Sequence, residues 1–261
     1  PIVSSGEYGA RLSIVELERI TPDSVEATFV GQPATWADEV DPDPGVAALM
    51  AKFEAQAGEL LNRVVATLAG PLERGTGEFP LGNLIADSKR AALDSDIAII
   101  NTGGIRTSLP AGDVRYEDAY RVLPFGNRLV LLQLSGATVR AAVEHALTGG
   151  RAAAHFSGLR ATYDPAAPAG ARLVTLTLDS GEPVEDWKTY TVTVNAFLAE
   201  GGDGYEMLLD GDVVDSTHYT DMDAFVRYLE SLPSPVSAPE EQRLAPVAAP
   251  TFAAPLTGME S

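Results

Sequence analysis

Three short segments of the sequence combine side chains that can bind a small polar molecule. They are residues 101–106 (NTGGIR), 123–127 (LPFGN) and 195–205 (NAFLAEGGDGY). Two of them follow a predicted strand and the third precedes one, and their glycines let the backbone approach a ligand closely. Each segment alone is typical of an ordinary turn or a core aromatic residue. Together they predict a pocket.

The side chains of these segments match the parts of a nucleotide. The rings of Phe125 and Phe197 can sandwich a flat base, and each stacking contact contributes roughly 1–3 kcal/mol. The Asp203 carboxylate can accept hydrogen bonds from two ribose hydroxyls. Arg106 can hold a phosphate through its rigid fork of donors, and a side-chain amide can bind the edge of the base.

The chain lacks the patterns that bond-breaking chemistry requires. It has no cysteine, which excludes disulfides, thiolate nucleophiles and cysteine-ligated zinc. His145, His155 and His218 do not stand in a metal-binding spacing, and His145 is expected to be structural within a helix. No serine occupies a nucleophile elbow, and no Walker-type loop occurs. We therefore predict no catalytic residue, no metal ligand and no cofactor in this chain, which by itself should be inactive.

Composition restricts the partners of the protein. The 261 residues include 37 acidic and 18 basic side chains, so the formal net charge is −19. This charge argues against binding to nucleic acid or to an anionic membrane surface, but an anionic small molecule needs only a few well-placed arginines. No apolar run approaches the roughly 20 residues that cross a bilayer, so no transmembrane segment is predicted.

Hydrophobic periodicity predicts an α/β fold of the α+β type, in which helices flank a mixed sheet. Strands are predicted over residues 10–17, 96–100, 128–134, 159–163, 173–178 and 189–194. Helices are predicted over residues 46–68, 84–93, 135–147 and 221–232. The first helix is long and amphipathic, so one face should be buried. Ser135 should cap the third helix, and Thr220 or Asp221 the fourth.

The predicted elements divide the chain into four parts. Residues 1–30 contain strands too few for a domain and are expected to be the end of a domain missing from this chain. Residues 31–68 are predicted to be a linker and the long helix, and residues 69–245 the main domain. Residues 246–261 form a Pro/Ala-rich tail, which is expected to be extended.

Four ordered motifs resemble those of a known family. They are residues 82–87 (GNLIAD), 101–106, 123–127 and 197–205 (FLAEGGDGY). In this order they resemble the C-terminal, substrate-binding domain of the 5′-nucleotidase and UDP-sugar hydrolase family. The resemblance extends from Val64 to Arg243. Residues 1–9 also resemble the last strands of the family's N-terminal metallophosphoesterase domain.

The resemblance implies a role for each matching residue. Phe125 and Phe197 would clamp the nucleobase. Asn101 and Asn127 would hydrogen-bond to the base or line its edge, and Asp203 would take the ribose hydroxyls.

Two arginines are candidates for the phosphate. Arg106 matches the family motif and would bind phosphate. A second phosphate arginine precedes the Gly-Asn motif in the family, and Arg74 is the nearest candidate. The spacing of residues 75–80 departs from the family pattern, so an exposed loop arginine is the alternative for Arg74. Three further motif residues are expected to hold loops through hydrogen bonds: Asn83, Asp87 and Asn195.

For the whole protein, the resemblance implies a secreted, periplasmic or cell-surface 5′-nucleotidase-like phosphohydrolase. An N-terminal metallophosphoesterase domain in the same polypeptide would hold two divalent metal ions and the catalytic His-Asp pair. The present domain would bind the nucleotide and, through a hinge near residues 31–68, deliver its phosphate to that centre. There a metal-activated water would attack phosphorus in line.

The motifs are also compatible with other proteins on the same scaffold. A 2′,3′-cyclic nucleotide phosphodiesterase or a UDP-sugar hydrolase would keep the base clamp and differ around the phosphate. A sulfur-oxidation thiosulfohydrolase needs no base clamp, so the presence of both Phe125 and Phe197 weighs against it. A non-catalytic nucleoside-binding or adhesion module is the last alternative.

Overall fold

The structure is a computed structural model that describes residues 13–31, 41–149 and 153–247. The predicted family-like strands at residues 1–9, most of the linker and the tail from residue 248 lie outside the described residues. The chain separates into two compact units, with the division between Glu59 and Leu60.

Helices and strands alternate through most of the described chain. The helices are α1 (Pro44–Leu61), α2 (Pro80–Leu93), α3 (Tyr116–Val122), α4 (Gly136–Ala146), α5 (Ala196–Ala199) and α6 (Asp221–Ser231). The strands are β1 (Ile14–Thr21), β2 (Ser24–Gly31), β3 (Val64–Leu68), β4 (Ile97–Asn101), β5 (Gly112–Arg115), β6 (Arg128–Ser135), β7 (Ala154–Ser157), β8 (Leu159–Tyr163), β9 (Leu173–Leu178), β10 (Thr189–Asn195), β11 (Asp212–Thr220) and β12 (Leu244–Pro246). The predicted caps of α4 and α6 are confirmed, because the Ser135 and Thr220 hydroxyls each accept a backbone N–H of the first turn.

The first unit contains the β1–β2 hairpin and most of α1. The predicted long helix was wrong in two respects. None of the residues of α1 is buried, and the helix ends at Leu61 instead of continuing to Leu68. The apolar stripe exists, with Leu49 and Phe53 exposed on it. Apolar residues at helical spacing identify the helix face that can pack, but they do not show that another element packs against it.

Residues 64–68 form strand β3, which pairs antiparallel with β5. The β-branched pair Val64-Val65 favours extended backbone. Apolar side chains at positions 64, 65 and 68 fit a helical period as well as a strand. The pairing with β5 decides between them, and this partner lies more than forty residues away along the chain.

A five-stranded mixed sheet forms the centre of the second unit, with the order β11-β6-β10-β4-β7. β10 and β4 are parallel, and the other neighbouring pairs are antiparallel. All five residues of β4 are buried. Ile97 and Ile99 pack in an apolar cluster with α4, while Ile100 packs in a second cluster with α2 and α6. The predicted fold class, a mixed sheet with flanking helices, is therefore confirmed.

The segment after α6 returns to the domain and completes a smaller sheet, β12-β8-β9. In this sheet β12 pairs in parallel with β8. Arg243, which precedes β12, is only 9% exposed. Its guanidinium donates to the Phe156 carbonyl at 2.6 Å and to the Asp87 carboxylate at 2.8 Å. These charge-assisted bonds fix the end of the described chain to α2 and β7.

His155 fills a tight space between β7 and α2. A Cβ atom at position 82 would lie 2.3 Å from its ring, so only glycine fits there, and the Phe79 ring packs edge-on with centroids 4.2 Å apart. Burial lowers the pKa of His155 from 6.5 to about 3, and the Arg243 cation acts in the same direction. The ring is therefore buried in its neutral form.

This burial predicts a specific loss of stability in acid. Between pH 6.5 and about 3 the unfolded chain binds a proton at His155 that the folded chain excludes. The free energy of unfolding should therefore fall as pH decreases through this window, by at most about 1.4 kcal/mol per pH unit from this group. Urea unfolding measured from pH 8 to 4 should show a smaller decrease in the free energy of unfolding for His155→Phe than for the parent. Above pH 7 the difference in this free energy between the two proteins should stay constant. Parallel curves throughout would contradict the assignment.

Candidate functional site

The topology of the five-stranded sheet brings three loops to one edge of the sheet, namely the edge at which strands β4 and β10 end. Because β4 and β10 are parallel neighbours, their carboxyl ends at Asn101 and Asn195 lie at the same edge. β6 runs antiparallel to β10 with Leu129 opposite Asn195, so the loop that enters β6 reaches this edge too. β11 also ends there, with Thr220 opposite Arg128. The three segments that the sequence singled out are therefore neighbours in space.

These loops surround a cavity of about 440 Å³. Its lining residues are Asn101, Gly103, Gly104, Arg106, Phe125, Asn127, Phe197 and Asp203. Six of the seven predicted site residues belong to this set, and Arg74 does not. The volume lies in the range of about 300–1,000 Å³ that is usual for small-molecule sites.

Both phenylalanine rings at the cavity are exposed, although isolated phenylalanines are usually core residues. Phe125 is 57% exposed and Phe197 is 42% exposed. Phe125 lies in the turn between α3 and β6, beside Gly126, whose φ of +61° favours glycine. Solvent-exposed rings on ordered loops are available to stack on a planar ligand.

Backbone contacts fix the position of Phe197. Its helix α5 is capped by Asn195, whose side-chain oxygen accepts the Leu198 N–H at 2.9 Å. Gly202 lies directly against the Phe197 ring, because a Cβ atom at 202 would stand 2.5 Å from the ring Cζ and from the Phe197 carbonyl oxygen. The glycine at 202 is thus required for the close packing of the loop on the ring.

Asp203 is exposed and lines the cavity, and the Asn101 side chain binds its carboxylate. The Asn101 side-chain nitrogen donates to Asp203 Oδ2 at 2.6 Å. Because a carboxylate only accepts hydrogen bonds, this contact assigns the orientation of the Asn101 amide. Asn101 is 5% exposed, and its Oδ1 has no hydrogen-bond partner among the described residues. The contact leaves the other carboxylate oxygen for a ligand.

Arg106 provides the positive charge at the cavity. Its guanidinium donates to the Gly103 carbonyl at 3.1 Å, and its central carbon lies 5.6 Å from the centroid of the Phe125 ring. Its backbone N–H donates to Val122 at 2.9 Å, which ties the loop to the end of α3. Among the described residues of the lining, Arg106 and Asp203 carry the charges, one of each sign.

Arg74 contacts the loop that carries Arg106 but lies outside the lining set. Its Nε donates to the Ile105 carbonyl at 2.6 Å, and its backbone N–H donates to the Ser108 hydroxyl at 2.9 Å. These contacts support the backbone next to Arg106. They fit the loop-arginine alternative better than a direct contact with a ligand in the cavity.

Sequence reasoning missed two buried charged residues, Lys89 and Asp221, of which Asp221 contacts Asn127. The backbone N–H of Asp221 donates to the Asn127 carbonyl at 2.8 Å. Burial raises the pKa of Asp221, while the nearby Lys89 ammonium and the Asn127 side chain oppose this shift. Burial lowers the pKa of Lys89 to about 8. The pattern contained the signal, because Lys89 continues the buried stripe of Leu81 and Ile85 at four-residue spacing.

The three residues expected to hold loops do so. Asn195 caps α5, as described above. Asn83 donates to the Glu78 carboxylate at 2.7 Å, and Asp87 accepts from the Ser157 hydroxyl at 2.6 Å. Asn83 and Asp87 connect α2 to the segments around it rather than to the cavity.

The described part of the chain shows neither a metal-binding cluster nor a membrane-spanning helix. Within residues 13–31, 41–149 and 153–247, no group of three or more His, Asp or Glu side chains is arranged to hold a metal ion. Across the same ranges, no helix combines the length and the apolar character needed to span a membrane.

Comparison with known proteins identifies the fold and the domain type. A sequence profile described as "5′-nucleotidase, C-terminal domain" matches residues 64–210. The chain is 32% identical over 256 residues to Endonuclease YhcR of Bacillus subtilis, which covers 93% of this chain. It is 34% identical over 188 residues, 67% of this chain, to the Trifunctional nucleotide phosphoesterase protein YfkN of the same organism. The profile match confirms the resemblance indicated by the four motifs.

The structural comparison gives the same result. The solved structure of a 5′-nucleotidase precursor from Thermus thermophilus superimposes with a TM-score of 0.73 at 30% identity, over 95% of this chain. The chain spans 52% of that protein, and 20% and 13% of the two Bacillus relatives.

The packing of Gly202 against Phe197 predicts that an added methyl group will destabilise the loop. Gly202→Ala should lower the free energy of unfolding by about 1–3 kcal/mol, the range for overpacking. Gly149→Ala is the matched control, because nothing lies within 4 Å of a Cβ atom at that position. Thermal unfolding of the two variants checks the prediction. Equal midpoints would show that residue 202 has room for a side chain.

Proposed function

The chain belongs to the family of 5′-nucleotidase C-terminal domains, and on this premise we propose that it is the nucleotide-recognition domain of a 5′-nucleotidase-type phosphohydrolase. One observation carries the proposal. Two exposed phenylalanine rings from different loops line a single cavity together with an arginine and a carboxylate.

The base would lie between Phe125 and Phe197. Each aromatic face contributes roughly 1–3 kcal/mol by stacking, and it does so for any base because every base has a π-face. Asn127, which also lines the cavity, would bind the base edge. Asn101 is nearly buried and donates to Asp203, so its principal role in this proposal is to position that carboxylate.

The ribose would bind through its 2′- and 3′-hydroxyls to Asp203. A carboxylate only accepts hydrogen bonds, so it requires a ligand that presents donors. A 2′,3′-cyclic phosphate has no free hydroxyl at these positions and adds a negative charge beside the carboxylate. The site therefore favours a 5′-nucleotide with a free cis-diol over the cyclic-nucleotide alternative.

The phosphate would bind to Arg106, the cation among the described lining residues. Its fork of N–H donors suits the oxygens of a phosphate ester. The net charge of −19 disfavours a long polyanion as ligand, which supports a mononucleotide rather than nucleic acid.

Bond cleavage would depend on a second domain of the same polypeptide. We infer an N-terminal metallophosphoesterase domain that carries two divalent metal ions and receives the phosphate presented here, in a secreted, periplasmic or cell-surface enzyme. The described residues of this chain contribute binding and orientation, so the chain alone should bind a nucleotide without turnover.

Removing one clamp ring should weaken nucleoside binding. Phe197→Ala should reduce the binding free energy of adenosine by about 1–3 kcal/mol, because one stacking face is lost. Isothermal titration calorimetry measures the effect. Phe53→Ala is the matched control, since Phe53 is also exposed, at 58%, but does not line the cavity. Unchanged affinity in Phe197→Ala would contradict the clamp.

Removing the cavity arginine should affect AMP and adenosine differently. Arg106→Ala should weaken AMP by about 1.5–3 kcal/mol, the range for a hydrogen bond to a charged group, and should leave adenosine nearly unchanged. Arg121→Ala on the exposed surface of α3 is the control. An equal loss for both ligands would make Arg106 structural. Arg74→Ala, measured in parallel, decides whether Arg74 contacts phosphate or only supports the loop.

A further inference from the structure

The loop that carries Asp203 adopts a backbone conformation that needs support. Asp203 has φ +53° and ψ +24°, in the left-handed region that non-glycine residues rarely occupy. Its neighbours Gly201 and Gly204 also have positive φ values, +83° and +78°. A non-glycine residue stays in this region only where surrounding contacts hold it there.

One of these contacts comes from a histidine outside the cavity. His145 Nε2 lies 2.8 Å from the backbone carbonyl oxygen of Asp203. A carbonyl oxygen only accepts, so His145 must carry a proton on Nε2 and donate it. Asn101 holds the side chain of the same residue. The backbone and the carboxylate of Asp203 are thus fixed from two directions.

Packing locks the His145 ring in the position that this hydrogen bond requires. The ring meets the buried Tyr205 ring edge-on, with centroids 4.6 Å apart. The ring also approaches Gly204, where a Cβ atom would lie 3.0 Å from the ring Cε1. Glycine at 204 therefore serves two purposes: it permits a positive φ and it admits the ring.

We propose that His145 is a positioning residue for ligand binding, which acts by holding Asp203 in its left-handed conformation. His145 is not part of the cavity lining, so it acts through Asp203 rather than on the ligand. The proposal rests on the proposed function in one respect, the ribose role of Asp203. It assigns to His145 control of affinity for the ribose diol, separate from affinity for the base.

Two variants isolate the hydrogen bond. His145→Phe keeps a ring against Tyr205 and removes the donor. His145→Gln returns an N–H donor at a similar distance from the backbone. Calorimetric titration with adenosine and with 2′,3′-dideoxyadenosine separates the diol from the base. His145→Phe should bind adenosine about 3- to 10-fold more weakly, the effect of one hydrogen bond, and should bind the dideoxynucleoside as the parent does. His145→Gln should recover most of the loss.

Several results would overturn the proposal. They are an unchanged adenosine affinity in His145→Phe, an equal loss for both nucleosides, and a His145→Gln variant as weak as His145→Phe. Failures of the proposed function look different. A parent chain that binds neither nucleoside contradicts nucleotide recognition, and a parent that binds both equally contradicts the ribose role of Asp203.

A measurement without ligand tests the support itself. Amide hydrogen exchange of residues 201–205 should be faster in His145→Phe than in the parent and close to the parent rate in His145→Gln. Exchange in β4 and β10 should not differ among the three proteins, which controls for general destabilisation. Unchanged exchange rates in residues 201–205 would overturn the proposal, whatever the nucleoside affinities of the variants.

Discussion

The parallel pairing of β4 with β10 is the constraint on which the site depends. It places the ends of two buried strands side by side, and the antiparallel neighbour β6 begins at the same edge. A register slip of one residue would exchange the faces of Ile99 and Ile100, which pack in different apolar clusters. Burial of both faces therefore fixes the register, and the register fixes which loops meet. The functional groups of the cavity come together because packing of the core fixes the strand register beneath them. These groups are the two phenylalanine rings, the amide, the carboxylate and the arginine.

The loops at this edge combine exposed functional groups with closely held backbones. Phe197 is exposed, yet Asn195 caps its helix and Gly202 packs beneath its ring. Asp203 is exposed, yet its backbone is strained and Asn101 holds its side chain. Ordering these groups before a ligand arrives reduces the entropy lost on binding. This arrangement explains why Asn101 and Asn195 are buried beneath the loops, while the groups assigned to the ligand face the cavity.

The sequence predicted those features that local patterns determine. Strands β8 and β9 have the predicted bounds, and the caps at Ser135 and Thr220 are present, because alternation and capping depend on near neighbours. The grouping of the three glycine-containing loops followed from their positions at strand ends. The strand at Val64–Leu68 was missed, because distant pairing with β5 overrides an ambiguous apolar pattern. The burial of Arg243 and the contact of His145 with Asp203 depend on residues far apart along the chain, so spacing alone could not reveal them.

The central claim is that a nucleobase binds between Phe125 and Phe197 while Asp203 holds the ribose. The most direct measurement is a crystal structure of this chain grown with AMP. The account predicts density for the base between the two rings, both ribose hydroxyls within hydrogen-bond distance of the Asp203 carboxylate, and the phosphate at Arg106. A nucleotide bound elsewhere on the domain, with the cavity between the rings filled only by solvent, would contradict it.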